Sequence, residues 1–93
     1  MSILSFKCKD TRALFEGRGA RRFVNMETVA IRKLAMLNRA AILDDLRIPP
    51  NNRLEPLQGN RAGQHSIRVN RQWRVCFVWT ANGPTDVEIV DYH

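Results

Sequence analysis

The sequence has few cysteines and no long apolar run. Cys8 and Cys76 are the two cysteines of its 93 residues, and they stand far apart without metal-site spacing or a neighbouring Cys or His cluster. Isolated cysteines in a chain without a signal peptide are typical of reduced, structural thiols in the cytoplasm. No apolar run approaches the length of a membrane-spanning helix, so we expect a soluble, cytoplasmic protein without a membrane partner.

Repeats, low-complexity segments and interdomain linkers are also absent from the sequence. A chain of 93 residues is long enough for one modest hydrophobic core and too short for two. We therefore expect a single domain that spans residues 1–93.

Acidic residues are few relative to basic ones. Nine Asp and Glu stand against 15 Lys and Arg, which gives a net charge of +6, and 12 of the 15 cations are Arg. The planar guanidinium fork matches phosphate, so this composition favours a polyanionic partner such as nucleic acid or the ribosome. A generally basic, soluble protein would have the same composition. The sharper signal is local, because residues 58–75 contain four arginines and no acidic residue.

Residues 66–69 and 73–79 give the clearest strand signals, since apolar and polar side chains alternate along both. A two-residue loop between them would mix the two faces. A three-residue loop at 70–72 instead pairs Ile67 with Val75 and aligns the apolar faces.

The same register places Arg68 directly opposite Arg74. Like charges in a cross-strand pair are destabilising, so this pair predicts an anion bound between the two guanidinium groups. The alternative is a solvated outer face on which the two arginines splay apart.

The N-terminal part of the chain predicts a short strand and a helix. Residues 3–8 alternate, and their apolar face is expected to comprise Leu4, Phe6 and Cys8. Asp10 or Thr11 is a good N-cap for the first helix, because a short oxygen-bearing side chain accepts from free backbone amides, and Gly17 ends that helix. The basic residues 17–22 then form either a segment that contacts RNA or a partner, or a mobile surface turn.

A long second helix is predicted after Asn25, which is a good N-cap. Its apolar stripe comprises Ala30, Leu34, Leu37 and Ala41. The charged residues off the stripe are expected on a solvated face without a function; they are Arg32, Lys33 and Arg39. A further turn or short helix continues until Pro49 and Pro50, which cannot extend it. Residues 51–57 return to the sheet, where Pro56 confines their strand to an edge or to an irregular pairing.

The last strand is predicted to follow a turn at 81–84 and to pair with the second arm of the hairpin. Aligned apolar faces place Phe77 opposite Val87, Trp79 opposite Thr85, Val75 opposite Ile89 and Arg74 opposite Val90. The closing Asp91, Tyr92 and His93 would then offer titratable groups beside the arginine pair, as acid–base chemistry on a phosphodiester requires. The alternative is a frayed terminus without a function.

Several blocks of the sequence match a known family. They are Ser5-Phe6, Thr11, Leu14-Phe15-x-Gly17, Lys33-Leu34, Asn52-Arg53-Leu54-Glu55, Gly59-x-Arg61-x-Gly63-Gln64-His65-Ser66-Ile67-Arg68-Val69, Gln72-Trp73-Arg74 and Asp91-Tyr92-His93. On these blocks nearly the whole chain resembles the HigB-type killer-protein toxins of the RelE superfamily. The resemblance implies an α+β, RelE-like fold, with two main helices packed on one face of a small, mostly antiparallel sheet and the other, concave face left for RNA.

The resemblance also implies an activity and partners. Toxins of this type are ribosome-dependent endoribonucleases that cut messenger RNA in the decoding site. By this likeness we expect the toxin of a type II toxin–antitoxin module, with messenger RNA on the ribosome as substrate. A cognate helix-turn-helix antitoxin would neutralise it, and operator DNA would be reached only through that antitoxin.

The family pattern transfers to the site residue by residue. The family's closing motif matches residues 91–93, and the arginine after the sheet tryptophan matches Arg74. Better-known members read Leu-His-Pro-Leu-Lys-Gly where residues 54–59 read Leu-Glu-Pro-Leu-Gln-Gly, so a histidine and a lysine associated with catalysis there are absent. The expected catalytic residues are Glu55, Arg74, Asp91, Tyr92 and His93. The expected RNA-binding residues are Arg53, Gln58, Arg61, Arg68 and Arg71.

The chemistry expected of this set needs no metal and no cofactor. The RNA 2′-hydroxyl attacks its own phosphorus, Arg68 and Arg74 clamp the phosphate, and His93 or Tyr92 protonates the leaving 5′-oxygen. Glu55 is the expected base. The alternative is a basic module that binds RNA, the ribosome or an antitoxin without cleavage, which the missing histidine and lysine favour.

Overall fold

The computed structural model describes residues 2–91 of the chain, whose four strands form one antiparallel sheet in the order β1-β2-β3-β4. The strands are β1 (Glu55–Pro56), β2 (His65–Arg68), β3 (Trp73–Thr80) and β4 (Gly83–Asp91). The helices are α1 (Lys9–Phe15) and α2 (Glu27–Arg39). Short 3₁₀ turns cover Arg21–Met26, Leu43–Arg47, Pro50–Asn52 and Gly59–Arg61.

The hydrophobic core lies between the helices and one face of the sheet. Its buried side chains include Leu14, Phe23, Ala30, Leu34, Leu37, Ile67, Val75, Phe77, Val87 and Ile89. Successive side chains of a strand point to opposite faces, so these residues define a helix-covered face and leave an open face on the other side. The predicted α+β fold, with two helices on one face of a mostly antiparallel sheet, is confirmed.

Residues 3–8 lie beside β4, but they form an isolated parallel bridge between Phe6 and Val87 rather than the predicted strand. Backbone hydrogen bonds of 3.0 and 3.1 Å join Val87 to this segment. The predicted apolar face is wrong for Leu4, which is 52% exposed, whereas Ile3 and Phe6 pack on the core. Pairing is concentrated around Val87, so no regular pleat fixes the alternation of the whole segment.

The first helix begins without the predicted cap and ends where predicted. Cys8 is the N-cap of α1 and makes no side-chain capping bond, so Asp10 and Thr11 lie inside the helix. Thr11 is buried because its hydroxyl accepts a hydrogen bond from the Ile89 N–H at 3.0 Å, which joins α1 to β4. The helix ends just before Gly17, whose φ of +86° lies in the left-handed region that favours glycine.

The second helix begins one residue later than predicted. Asn25 lies in the 3₁₀ turn Arg21–Met26, so Met26 takes the N-cap position. The predicted core positions Ala30, Leu34 and Leu37 are buried. Ala41 is exposed instead, because α2 ends at Arg39 and the backbone is extended after it. Within residues 2–91 no helix is long and apolar enough to cross a membrane.

Strand pairing confirms most of the predicted register. β2 and β3 pair Ile67 with Val75 and Arg68 with Arg74. β1 is an edge strand, as its proline predicts. β3 and β4 align Val75 with Ile89.

A bulge in β4 breaks the predicted register toward the β3–β4 turn. One extra residue of β4 lies between the Cys76–Glu88 and Val78–Thr85 pairs, so Trp79 stands opposite Pro84 and not opposite Thr85 as predicted. The bulge contains Asp86, whose φ is +52°. Apolar alternation cannot reveal such an insertion, because it carries no information on the sign of φ.

Candidate functional site

The open face of the sheet carries a row of polar side chains. Glu55 of β1 stands opposite Ser66 of β2, Ser66 opposite Cys76 of β3, and Cys76 opposite Glu88 of β4. One step along, Arg74 stands opposite Arg68. Strand alternation places all of these residues on the open face.

Arg74 is the central cation of this face and is 8% exposed. Its Nε donates to the Ser66 Oγ at 2.7 Å. Its Nη2 donates to the Arg53 carbonyl at 2.7 Å and, at 3.4 Å, to the Ser66 carbonyl. A buried guanidinium held by several acceptors keeps a fixed orientation, so the charge of Arg74 is preorganised.

Glu55, the predicted base, lies beside this guanidinium. Its Oε1 is 3.6 Å from the Arg74 Nη2, and about half of its side chain is exposed, at 49%. The carboxylate is therefore both an ionic partner of Arg74 and accessible to a ligand on the open face.

Arg68 stands opposite Arg74, as the predicted register requires, and is half-buried. Within residues 2–91 its side chain makes no hydrogen bond or ion pair. Within the described part of the chain, the Glu55 carboxylate lies next to Arg74. The anion expected between the two arginines remains a prediction.

Arg61 is engaged within the fold. Its Nη1 donates to the Glu88 Oε1 at 3.0 Å and to the Gln64 Oε1 at 3.1 Å. Cys76, opposite Glu88 in the sheet, is buried. Burial raises the pKa of the Cys76 thiol, and the positive charge of Arg61 opposes that rise in part.

Three other predicted RNA-binding residues, Arg53, Gln58 and Arg71, are exposed. Arg71 lies in the loop between β2 and β3, and Gln58 precedes the turn Gly59–Arg61. Within residues 2–91 none of the three side chains makes a hydrogen bond or ion pair. Arg53 touches the site through its backbone carbonyl, which accepts from Arg74.

The C-terminal residues of the predicted site divide into two groups. Asp91 stands opposite Trp73, whose indole packs edge-on against Phe23 on the helix-covered face. The Asp91 Oδ2 accepts a hydrogen bond from the Gln72 Nε2 at 3.0 Å. Strand alternation therefore assigns Asp91 and Arg74 to opposite faces. Tyr92 and His93 lie outside the described residues.

The basic segment 17–22 makes contacts on the helix-covered side. Arg18 forms an ion pair with Glu16. Arg22 lies 3.7 Å from the Asp10 carboxylate, with its guanidinium 4.9 Å from the ring centre of Phe23. These contacts favour neither of the two predicted roles for the segment.

Sequence reasoning missed Lys33 and Asn52. Lys33 was predicted to be solvated, but it is 7% exposed and its Nζ donates to the Asn52 Oδ1 at 2.6 Å. Burial lowers the pKa of the Lys33 ammonium from its ordinary 10.5, and the charge of Arg32 lowers it further. A signal was present, since Lys33 lies three residues after Ala30 and four before Leu37, on the buried stripe of α2.

Asn52 is fully buried, and its side chain uses both ends of the amide. The Oδ1 accepts from Lys33, and the Nδ2 donates to the Leu46 carbonyl at 3.0 Å and to the Ile48 carbonyl at 3.4 Å. No sequence pattern distinguishes it from the neighbouring, exposed Asn51. Within residues 2–91 no group of three or more His, Cys, Asp or Glu is arranged to hold a metal ion.

Comparison with known proteins gives a consistent set of relatives. A family model described as the RelE-like toxin of type II toxin–antitoxin system HigB matches residues 4–93. Toxin HigB-1 of Vibrio cholerae serotype O1 is 44% identical over 78 residues, which cover 82% of this chain and 82% of that protein. An uncharacterized protein of Haemophilus influenzae is 40% identical over 58 residues, 62% of this chain and 57% of that protein.

A solved structure shares the fold. The YoeB/ParE toxin from Agrobacterium tumefaciens aligns over 100% of both chains with a TM-score of 0.56. Its sequence is 16% identical, so this likeness concerns the fold alone.

Proposed function

Because this chain belongs to the HigB-like family of RelE-like toxins of type II toxin–antitoxin systems, we propose that it cleaves messenger RNA on the ribosome and so inhibits translation. The observation that carries this proposal is the pairing of Glu55 with Arg74 on the open face, where Ser66 and the Arg53 carbonyl hold the guanidinium. A fixed cation beside an accessible carboxylate supplies two groups that phosphodiester cleavage needs.

The proposed reaction proceeds by attack of the RNA 2′-hydroxyl on the adjacent phosphorus. Glu55 accepts the hydroxyl proton while Arg74 and Arg68 stabilise the charge that develops on the phosphate oxygens. The bond to the 5′-oxygen breaks, and this oxygen takes a proton from His93 or Tyr92. The products are a 2′,3′-cyclic phosphate and a 5′-hydroxyl. The step needs no metal ion and no cofactor.

The rate enhancements expected of these groups favour a reaction that depends on the ribosome. General acid–base catalysis contributes about 10² to 10⁴ in rate, and a preorganised charge contributes about 10² to 10³. These factors give a weak ribonuclease on free RNA. A ribosome that holds the message in a near-attack geometry can supply much of the remainder.

The RNA-binding role is proposed for exposed arginines around this pair. Arg71 in the β2–β3 loop, Arg53 and Gln58 are accessible, and Arg68 is half-buried on the open face. Arg61 is already paired with Glu88, so an RNA phosphate would have to compete with that carboxylate. Asp91 is proposed to support the chain end that carries the proton donor.

As a type II toxin the protein has a cognate antitoxin as its partner. We infer that this antitoxin carries a helix-turn-helix region and that the toxin meets operator DNA only through it. A non-cleaving module that binds RNA, the ribosome or the antitoxin is the second candidate. The specific feature that favours it is Glu55 and Gln58 at the positions of the family's histidine and lysine.

Arg74→Ala tests the proposed catalysis. We expect the single-turnover cleavage rate on translating ribosomes to fall about 10²-fold or more, because stabilisation of the developing charge is lost. Cleavage is measured at saturating toxin by mapping RNA ends that carry a 2′,3′-cyclic phosphate. Arg47→Ala is the matched control, since Arg47 is an exposed arginine paired with Asp44.

The same assay separates the two candidate functions. A wild-type protein that stops translation while the message stays intact would favour the non-cleaving module. Equal rates for Arg74→Ala and Arg47→Ala would remove Arg74 from the catalytic set.

A further inference from the structure

The 3₁₀ turn Pro50–Asn52 and the residue after it connect the hydrophobic core to Arg74. Asn52 is buried at the end of this turn and is held by Lys33 of α2. Arg53 follows with φ +45° and ψ 54°, a left-handed conformation that is uncommon for a residue other than glycine. The Arg53 carbonyl then accepts from the Arg74 Nη2 at 2.7 Å.

We propose that Asn52, supported by Lys33, is a positioning residue that sets the orientation of the Arg74 guanidinium through the Arg53 carbonyl. This inference rests on the proposed function for its meaning in catalysis. The geometry on which it stands is independent of that function.

Asn52 holds the turn from three directions. Its amide joins α2 through Lys33, the turn Leu43–Arg47 through the Leu46 carbonyl, and the following segment through the Ile48 carbonyl. The backbone N–H groups of Asn52 and Arg53 donate to the Pro49 and Pro50 carbonyls at 2.9 and 3.0 Å. The side chain and backbone of Asn52 therefore fix the turn that precedes Arg53.

Among residues 2–91, Ser66 and the Arg53 carbonyl accept hydrogen bonds from Arg74 and belong to separate parts of the fold. The Ser66 contacts come from the neighbouring strand and do not involve the turn. The Arg53 contact comes only from the end of the turn. Loss of Asn52 should therefore free one side of the guanidinium while the Ser66 side stays in place.

The same segment leads into the proposed base. Glu55, the first residue of β1, follows Arg53 by two residues in the sequence. Its Oε1 lies 3.6 Å from the Arg74 Nη2. A shift of this segment would change the distance between Glu55 and Arg74 as well as the Arg53 contact. Misplacement of catalytic groups by about 1 Å can cost 10²-fold in rate.

The first test uses Asn52→Ala in the free toxin and needs no substrate. The readout is the exchange of the Arg74 guanidinium protons with water, measured by NMR, with Arg68 as the internal reference. We expect the exchange of the Arg74 protons to become several-fold faster. Leu14→Ala, a core change in α1 chosen to lower the melting temperature to a similar extent, should leave it unchanged.

The second test uses cleavage on ribosomes. We expect Asn52→Ala to lower the single-turnover rate at saturating toxin by about 10- to 100-fold, with a much smaller change in the half-saturating concentration. In the Arg74→Ala background the same change should cost little more, because Asn52 acts through Arg74. Leu14→Ala should cleave at the parental rate below its melting temperature.

A second variant covers the case in which Asn52→Ala does not fold. The double variant Lys33→Met/Asn52→Leu removes both partners of the Lys33–Asn52 hydrogen bond, so neither polar side chain stays buried without its partner. The same faster exchange is expected of it. An Asn52 variant that folds and shows an unchanged exchange rate of the Arg74 guanidinium protons would overturn the inference. So would a double variant Asn52→Ala/Arg74→Ala whose loss of cleavage rate equals the product of the two single losses. Wild-type toxin that cuts no message would overturn the proposed function, while the exchange measurement would still decide the positioning role.

Discussion

At the scale of single residues, Lys33 shows how a charged side chain can be part of a core. The residue has helical spacing with Ala30 and Leu37, so its position on α2 is buried, while its charge predicts exposure. A buried lysine is tolerated when a polar partner satisfies it, and Asn52 provides that partner at 2.6 Å. The partner is 19 residues away in sequence, so no local pattern could predict the contact.

Lys33→Met should change how stability depends on pH. The pKa of Lys33 is lowered in the folded protein, so above this lowered value and up to about 10.5 the unfolded chain binds more protons than the folded one. The unfolding free energy of the wild-type protein therefore increases with pH in this window, and this increase is absent from Lys33→Met. The measurement is urea denaturation of both proteins from pH 7 to 10.5, reported as the difference between them.

An exposed lysine gives the control for that series. Lys9→Met removes the same charge from an exposed position of α1. If the difference in unfolding free energy from wild type changes with pH in the same way for Lys33→Met and Lys9→Met, burial of Lys33 has no effect on its titration. Cys76, whose pKa is raised, titrates in all three proteins and cancels from the differences.

At the scale of elements, alternation predicts which side chains share a face and is silent about backbone irregularity. The β2–β3 register and the half of the β3–β4 register that holds Arg74 follow from it. The bulge at Asp86 and the single parallel bridge at Phe6 do not, because both depend on backbone geometry rather than on polarity. The prediction of Thr11 as an N-cap was also wrong, because its hydroxyl accepts a hydrogen bond from the distant Ile89 N–H.

Asp86→Gly should be more stable than Asp86→Ala by about 1 kcal/mol, because a left-handed conformation costs a residue with a Cβ roughly 1 to 2 kcal/mol. Asp86 has φ +52° and is exposed, so both changes remove the same carboxylate and differ only in the backbone term. Urea denaturation of the two variants measures the difference. An alanine variant at least as stable as the glycine variant would show that the bulge relaxes to another conformation.

At the scale of the whole molecule, the surplus of positive charge is only partly available to a partner. Arg61 and Arg22 lie near carboxylates of the fold, whereas Arg71 is exposed in a loop. Composition predicted a basic protein, and the strand register predicted arginines on the open face, where Arg68 and Arg74 lie. Composition could not predict that Glu55 and Glu88 would each approach one of the arginines, because those contacts cross strands.

Arg71→Ala should weaken association with ribosomes and reduce its salt dependence. One phosphate contact fewer lowers the slope of log affinity against log salt by about 0.7 to 0.9. The rate of cleavage by bound toxin should stay at the parental value, because a phosphate contact in a loop positions the RNA without stabilising the reacting charge. Binding is measured between 50 and 200 mM salt, about the range in which such contacts change affinity most.

Arg47→Ala again serves as the control, since it removes the same charge from a residue paired with Asp44. An Arg71→Ala slope that equals the Arg47→Ala slope would assign the effect to net charge alone. A lower cleavage rate of bound Arg71→Ala would place Arg71 among the reacting groups.

The parallel bridge between Phe6 and Val87 has a consequence for the order in which the chain is completed during synthesis. Asp86 and Ser5 are joined across 81 residues, and Ile89 and Thr11 across 78. Chains are made from the N-terminus at about 5 to 20 residues per second, and distant contacts must wait for both partners. The contacts of the first segment and of α1 with β4 therefore cannot form until β4 has emerged from the ribosome. During translation the nascent chain lacks β4, a partner strand of β3, until residues 83–91 have been made, so the sheet that carries the Arg74 site is completed only after β4.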